Sequence, residues 1–196
     1  MSEIILASAS PRRKELLSNM GLDFTVIVSD ADESKADKTV PPHIYVQELA
    51  FLKAAASGKK VLKNRDAVII SADTIVVLND KILGKPKDKK DAFDMLRSLS
   101  GKTHNVYTGF CVMRLRDGKT VCRHALTGVR FKSVDDEKIK RYIDSGEPMD
   151  KAGAYGIQGL GAMLIDSIIG DYFNVVGLPV SALSDVLEEE FDFELM

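Results

Sequence analysis

The stretch AVIISADTIVVLND, residues 67–80, decides how the chain is built. It is rich in β-branched residues and reads as a strand. Asn79-Asp80 turn it back into KILGKP, residues 81–86. A strand that returns on itself breaks the regular β-α-β alternation of a doubly wound sheet. Outward from it, Ile4, Ile5 and Leu6 form a short strand that leads through a small-residue loop into a helix. Ser10 is its N-cap, Pro11 its first residue, Leu16, Leu17 and Met20 its apolar stripe, and Gly21 its stop. FTVIVSD, 24–30, alternates like a strand and runs into the acidic loop DADESK. A long helix follows Pro41-Pro42, with Tyr45, Leu49, Leu52 and Ala56 at helical spacing and Gly58 at its end.

Residues 88–99 predict a helix with Ala92, Met95, Leu96 and Leu99 inward and Gly101 just past its end. Two long strands, 103–116 and 119–132, form a hairpin around Asp117-Gly118. A helix near 135–144, a glycine-dense run and a last helix over 179–190 complete the pattern. Strands and helices mix without strict alternation, which predicts an α/β protein with a mixed sheet. No repeat or linker divides it, so residues 1–196 are expected to form a single domain.

With 196 residues, 45% hydrophobic content and a net charge of −2, the chain reads as a soluble protein with a real core. No apolar run reaches the roughly 18 residues that span a bilayer. Polar residues follow the first strand too soon for a secretory h-region, so a cytoplasmic location is expected. The weak net charge sets up no field for nucleic acid. Basic clusters at Arg12–Lys14, 58–65 and 85–90 lack an aromatic platform, so nucleic acid is not an expected partner. Pairing about a two-residue turn at Asp117-Gly118 sets Cys111 opposite His124 and Cys122 opposite Met113. The thiols then do not face each other and read as reduced hydrophobes. No zinc-ligand spacing occurs.

Several residues carry chemistry. Arg12, Arg13 and Lys14 sit at the mouth of the first helix, where the peptide dipole disfavours cations by roughly 0.3–1 kcal/mol each. They suit either a phosphate chain bound at that mouth or a solvated surface. Asp73 interrupts an apolar strand, where an ionised carboxylate needs a cation, a metal or several donors; a bulge or a loop cap is the alternative. Lys53 lies beside the apolar stripe of the long helix, reaching either water or a polar cleft. Lys85 in G-K-P and Glu33 in the acidic loop are weaker signals, each also readable as ordinary solvation. No Walker A loop is present. Cations for phosphates plus carboxylates for a hard divalent metal equip phosphoryl or nucleotidyl transfer.

Five segments follow one another across nearly the whole chain: LASASPRRKELL (6–17), ADTIVVLNDKILGKP (72–86), LSGKTHNVYTGF (99–110), YIDSGEPMDKAGAYGIQGLGAMLID (142–166) and GDYFNVVGLP (170–179). In this order the chain resembles the Maf family of nucleoside triphosphate pyrophosphatases, also described as septum-formation inhibitors. The resemblance implies an elongated mixed sheet flanked by helices around a central cleft, related to the inosine triphosphatase fold. It implies cytoplasmic members, commonly homodimers, that cleave a nucleoside triphosphate between the α and β phosphates with a divalent cation, Mg²⁺ or Mn²⁺.

On this sequence the resemblance makes Asp73 the proton acceptor, with Glu33 and Asp73 contacting the metal. Ser8, Ser10, Arg12, Arg13, Lys53 and Lys85 hold the triphosphate and neutralise the leaving pyrophosphate. Arg13, Thr74 and Gln158 form the selectivity set of the branch that prefers dTTP and UTP; Thr74 argues against the 7-methyl-GTP branch, which usually has glutamine there. Asn174 reads as a loop anchor or a substrate contact. Asp150, Lys151 and Tyr155 either line the cleft or pair with one another, and His104 reads as structural. Two rival functions remain: a nucleotide-binding regulator of division acting through a partner protein, and a transferase that needs an acceptor.

Overall fold

The structure is a computed structural model and describes residues 2–61 and 66–196. In chain order it contains β1 (Glu3–Leu6), α1 (Pro11–Asn19), β2 (Phe24–Val26), α2 (Pro42–Gly58), β3 (Ala67–Leu78), β4 (Lys81–Leu83), α3 (Lys89–Leu99), β5 (Thr103–Arg114), β6 (Thr120–Phe131), α4 (Asp136–Asp144), β7 (Ile165–Ile169), α5 (Tyr172–Val176) and α6 (Val180–Phe191). The strands form one seven-stranded sheet in the order β2-β1-β3-β5-β6-β7, with β4 paired to β3. β1 runs parallel to both β2 and β3, whereas β3–β4 and β6–β7 are antiparallel. The sheet is therefore mixed, as the return at residues 79–80 predicts. Asn79 and Asp80 both hold positive φ, 49° and 62°, the signature of a tight two-residue hairpin.

Three local expectations change. The strand expected over 24–30 ends at Val26. β1 stops at Leu6, and after the Ile27 N–H donates to the Leu6 carbonyl no further strand pairing follows among the described residues. The hairpin between β5 and β6 turns through four residues, Leu115–Gly118, rather than two: the Arg114 N–H donates to the Lys119 carbonyl at 2.9 Å. Gly118 closes the loop at φ 73°. Continuing that register sets Cys111 opposite Cys122, and the neighbouring thiol together with burial pushes the Cys111 thiol up. Both cysteines are free, as expected. β7 emerges from the run read only as glycine-dense; it is a half-exposed strand with no clean alternation to mark it.

The described residues divide into two compact units, one within 1–73, 108–125 and 177–196, the other within 74–107 and 126–176. The first is organised by α2. Its buried positions are Tyr45, Val46, Leu49, Ala50, Ala54 and Ser57, so the inward stripe lies slightly off the expected Leu52 and Ala56. Ala50 and Ala54 pack with Ile5, Ala7, Ala67, Ile69 and Cys111. Fully burying side chains such as Val46, Leu49 and Ile69 contributes roughly 1.5–3 kcal/mol each. At Gly109 of β5 the helix backbone approaches so closely that a β-carbon would stand 2.3 Å from the Val46 carbonyl oxygen. The second unit is cored by Val76, Leu96, Leu99, Val129, Phe131, Ile139 and Leu164, where α3 and α4 bury their apolar faces. Both helices start on an aspartate cap, Asp88 and Asp135, accepting from a backbone N–H three residues on.

Candidate functional site

In the first unit, the periods of a strand and a helix meet to build a charged cluster. Ser71 and Asp73 lie two residues apart on β3 and so share a face. Ala50 and Lys53 lie three apart on α2 and also share a face. The Ser71 hydroxyl donates to the Ala50 carbonyl at 2.6 Å, and one turn along Lys53 Nζ meets Asp73 Oδ1 at 2.5 Å. Lys53 thus turns to a carboxylate, one of its two sequence readings, and Asp73 has the cation it needs. The side chains of Lys53 and Asp73 keep only 16% and 14% exposure, so this pair is largely shielded from solvent screening.

Glu33 joins the same ammonium, its Oε1 3.0 Å from Lys53 Nζ. A single 3-10 turn, Glu33–Lys35, presents it, and Asp32 shapes that turn by accepting from the Ser34 N–H and hydroxyl. Two carboxylates therefore converge on one cation.

The opening loop supplies the other charges. Ser8 is buried, and its hydroxyl oxygen accepts from the Ser10 N–H at 3.2 Å and from an Arg13 guanidinium nitrogen at 3.4 Å. Arg13 Nε donates to the Gly177 carbonyl at 2.7 Å. Burial lowers the pKa of Arg13, opposed by the charge of Asp73 and then, after the Arg12 charge that lowers it further, by that of Glu33; it stays cationic. Ser10 occupies the N-cap position of α1 with extended backbone, as expected, yet its side chain makes no capping bond and no acidic residue stands in the first turn. The helix mouth is thus lined by cations and uncapped by Ser10.

Tyr45 was legible only as a core residue at helical spacing. It is buried, and its hydroxyl pKa is raised by burial and then by the negative charges of Asp73, Glu33 and Glu48, which makes it a neighbour of the cluster. A tyrosine three residues from a glutamate on an otherwise apolar helix face was the available signal. Gly109 was missed as well, since nothing in the sequence says which glycine of a strand meets a helix backbone.

The second unit contains the remaining candidates. Thr74 is its first residue and is half-buried. Lys85 is exposed beyond β4. Beside it the Gly84 carbonyl accepts from the Gly153 N–H at 3.0 Å, joining G-K-P to the segment that leads to Gln158. Gln158 is half-buried at the N-cap of a 3-10 turn, Gly159–Leu164.

Asn174 is buried as an anchor, its amide donating to the Val106 carbonyl at 3.0 Å and the Thr127 hydroxyl at 2.9 Å. His104 is structural: Nε2 meets the Tyr155 hydroxyl at 2.7 Å, and the ring packs edge-on against Phe131. Lys151 pairs with Asp150 at 2.6 Å. The lysines of the 85–90 cluster are exposed, as a solvated face requires, and residues 62–65 of the other basic stretch lie outside the described residues.

Among the described residues no three His, Cys, Asp or Glu side chains gather into a self-sufficient metal centre. Glu33 and Asp73 form a pair of hard oxygen donors already gathered around a cationic group. That fits Mg²⁺ or Mn²⁺ bound by one or two carboxylates and completed by substrate phosphates. No helix among the described residues is long and apolar enough to cross a membrane.

A family model described as Maf-like protein matches residues 3–190. A protein of Thermoanaerobacter sp., named dTTP/UTP pyrophosphatase, is 53% identical over 194 residues, covering 99% of this chain and 100% of its own. A protein of the same name from Alkaliphilus metalliredigens is 53% identical over the full length of both chains. Another, from Desulforamulus reducens, is 51% identical over 95% of this chain and 96% of its own.

Proposed function

The chain belongs to the Maf family, and from that premise we propose that it is a nucleoside triphosphate pyrophosphatase acting on dTTP and UTP. The observation that carries this reading is Asp73, an ionisable group set into an apolar strand and held by Lys53 beside Glu33. Water attacks the α phosphorus, the bond from that phosphorus to the bridging oxygen breaks, and the products are the monophosphate and pyrophosphate. Asp73 accepts the proton of the attacking water.

Before substrate arrives Lys53 pairs with both carboxylates. An incoming triphosphate competes for that ammonium, which frees Asp73 to act as the base and puts Lys53 on the phosphates. Arg12, Arg13 and Lys85 add positive charge for the leaving pyrophosphate, and Ser8 and Ser10 line the phosphate-binding loop. Glu33 and Asp73 are the residues that hold a divalent cation, which when bound polarises the phosphate and lowers the pKa of coordinated water.

Arg13, Thr74 and Gln158 select the base. The amide of Gln158 offers a donor and an acceptor to a uracil or thymine edge; cytosine reverses that pattern and would require the amide to turn over. An enzyme of nucleotide-pool composition belongs in the cytoplasm, and a homodimer is the assembly we expect.

Incubation with Mg²⁺ or Mn²⁺ and a panel of dTTP, UTP, CTP, 7-methyl-GTP and ITP, with chromatographic separation of products, tests the reading. Monophosphate and pyrophosphate from dTTP and UTP support it. Preference for 7-methyl-GTP would overturn the base assignment alone, and no turnover of any triphosphate would favour a purely binding role.

A further inference from the structure

In the second unit, the turn that carries Gln158 is capped from outside. An N-cap side chain ordinarily accepts from the N–H groups two or three residues on. For Gln158 those are Leu160 and Gly161, but its side chain makes no capping bond. Glu147 takes both: Oε2 accepts from the Leu160 N–H at 2.9 Å and Oε1 from the Gly161 N–H at 3.0 Å. The Tyr142 hydroxyl donates to the same Oε1 at 3.0 Å and accepts from the Gly156 N–H at 3.3 Å. One carboxylate and one phenol thus clamp the loop on both sides of Gln158.

The packing leaves no slack. A β-carbon at Gly161 would stand 2.2 Å from the Gly156 carbonyl oxygen and 2.7 Å from the Tyr142 hydroxyl. Gly159 has φ 68°, and a β-carbon there would meet Glu147 Oε2 at 2.7 Å. Lys151 braces the clamp from behind, donating to the Glu147 backbone carbonyl at 2.6 Å. Burial alone would raise the carboxyl pKa of Glu147, yet the Gly161 and Leu160 N–H groups and the Tyr142 hydroxyl hold it below the ordinary range. It is therefore ionised at neutral pH, the state in which both oxygens accept.

We propose that Glu147, seconded by Tyr142, is the positioning residue for base selection: by capping the 158–164 turn in place of Gln158, it keeps the Gln158 amide available to the nucleobase. The proposal rests on the reading of Gln158 as a base contact. Without the Glu147 carboxylate, the Leu160 and Gly161 N–H groups would turn to the acceptor an N-cap residue ordinarily supplies, here the Gln158 amide oxygen. That is the atom needed to accept from the uracil or thymine N3–H.

The test compares the wild-type protein with Glu147→Gln, Tyr142→Phe and Gln158→Ala. It reads kcat and KM for UTP and CTP, inhibition by inorganic triphosphate, and thermal stability. Glu147→Gln is expected to cut the UTP-to-CTP preference at least tenfold, chiefly through the KM for UTP, and to leave inhibition by inorganic triphosphate within twofold. Tyr142→Phe removes one donor to Glu147 without disturbing its charge; it is expected to cut the preference about threefold and covers the case that Glu147→Gln fails to fold.

An equal loss for both nucleotides that follows the melting temperature would overturn the proposal, since a merely structural clamp behaves that way. A changed preference in Gln158→Ala with none in the two clamp variants would overturn the proposal and leave the base-contact reading standing. An unchanged preference in Gln158→Ala would overturn both.

Discussion

Replacing Gly109 by alanine should damage the cluster from a distance. The new β-carbon would lie 2.3 Å from the Val46 carbonyl oxygen, 2.4 Å from its carbon and 2.7 Å from the Gln47 nitrogen, where an ordinary contact begins near 3.4 Å. All three atoms are helix backbone, so no side-chain rotation relieves the overlap, and α2 must retreat by about 1 Å. Overpacking of this kind costs about 1–3 kcal/mol, and a backbone clash belongs at the upper end. Lys53 follows Val46 by seven residues, roughly 10 Å along the axis, and a rigid helix carries the shift to it. Its contacts of 2.5 Å to Asp73 and 3.0 Å to Glu33 would then open. A misplacement of about 1 Å in a catalytic group can lower turnover by about a hundredfold.

Urea unfolding and kcat/KM for UTP measure both effects. The expectation is a midpoint lowered by about 1 M and a loss of activity, about tenfold or more, that persists where the variant is fully folded. Gly118→Ala is the control: its φ is 73° and no atom lies within 4 Å of the added carbon, so it should cost about 1 kcal/mol and leave activity unchanged. Wild-type stability and activity in Gly109→Ala would refute the claim that this close approach sets the position of Lys53.

Other outcomes follow from particular contacts. Lys53→Met leaves Asp73 and Glu33 without their shared cation, and should destabilise by about 3 kcal/mol as well as abolish turnover, read by urea unfolding and by the rate of UTP hydrolysis. His104 is buried, and burial lowers its pKa to about 4, against 6.5 unfolded. The unfolded chain therefore binds the proton first, so stability is full above pH 6.5 and falls as the pH drops toward 4, by about 3 kcal/mol in all. Denaturant titrations at pH 7 and pH 4.5 read this difference, which His104→Phe should flatten. Asn174→Ala strips two buried hydrogen bonds and should lower stability by about 1–3 kcal/mol while the KM for UTP stays within twofold.

The sequence was most explicit where local chemistry and long-range structure agree. Asn79 and Asp80 tolerate positive φ, so the return of β3 into β4, and with it the mixed sheet, was legible from two residues. Pro11 after Ser10 marked the start of α1, and Asp73 stood out because a carboxylate in an apolar strand demands a partner. What remained hidden depends on register and close approach. A two-residue turn and a four-residue turn around Asp117-Gly118 differ little in composition, yet only the second brings Cys111 opposite Cys122.

β2 was read too long because the length of an edge strand is set by its neighbour, here β1, and not by its own alternation. Lys53, Asp73 and Glu33 were each legible alone. Their convergence was not, since it depends on α2 meeting β3 at Ser71 and Ala50. Glu147 carried no local signal at all, because it caps a turn more than ten residues away.

The central claim is that a cluster built on Asp73 activates water against the α phosphorus of a pyrimidine nucleoside triphosphate. Hydrolysis of UTP in ¹⁸O-water, by the wild-type protein and by Asp73→Asn with Mg²⁺ or Mn²⁺ present, tests it most directly. The account predicts label in the monophosphate, unlabelled pyrophosphate, and a rate lowered by about 10²–10⁴ in a folded Asp73→Asn variant. Label in the pyrophosphate, or undiminished turnover by Asp73→Asn, would contradict it.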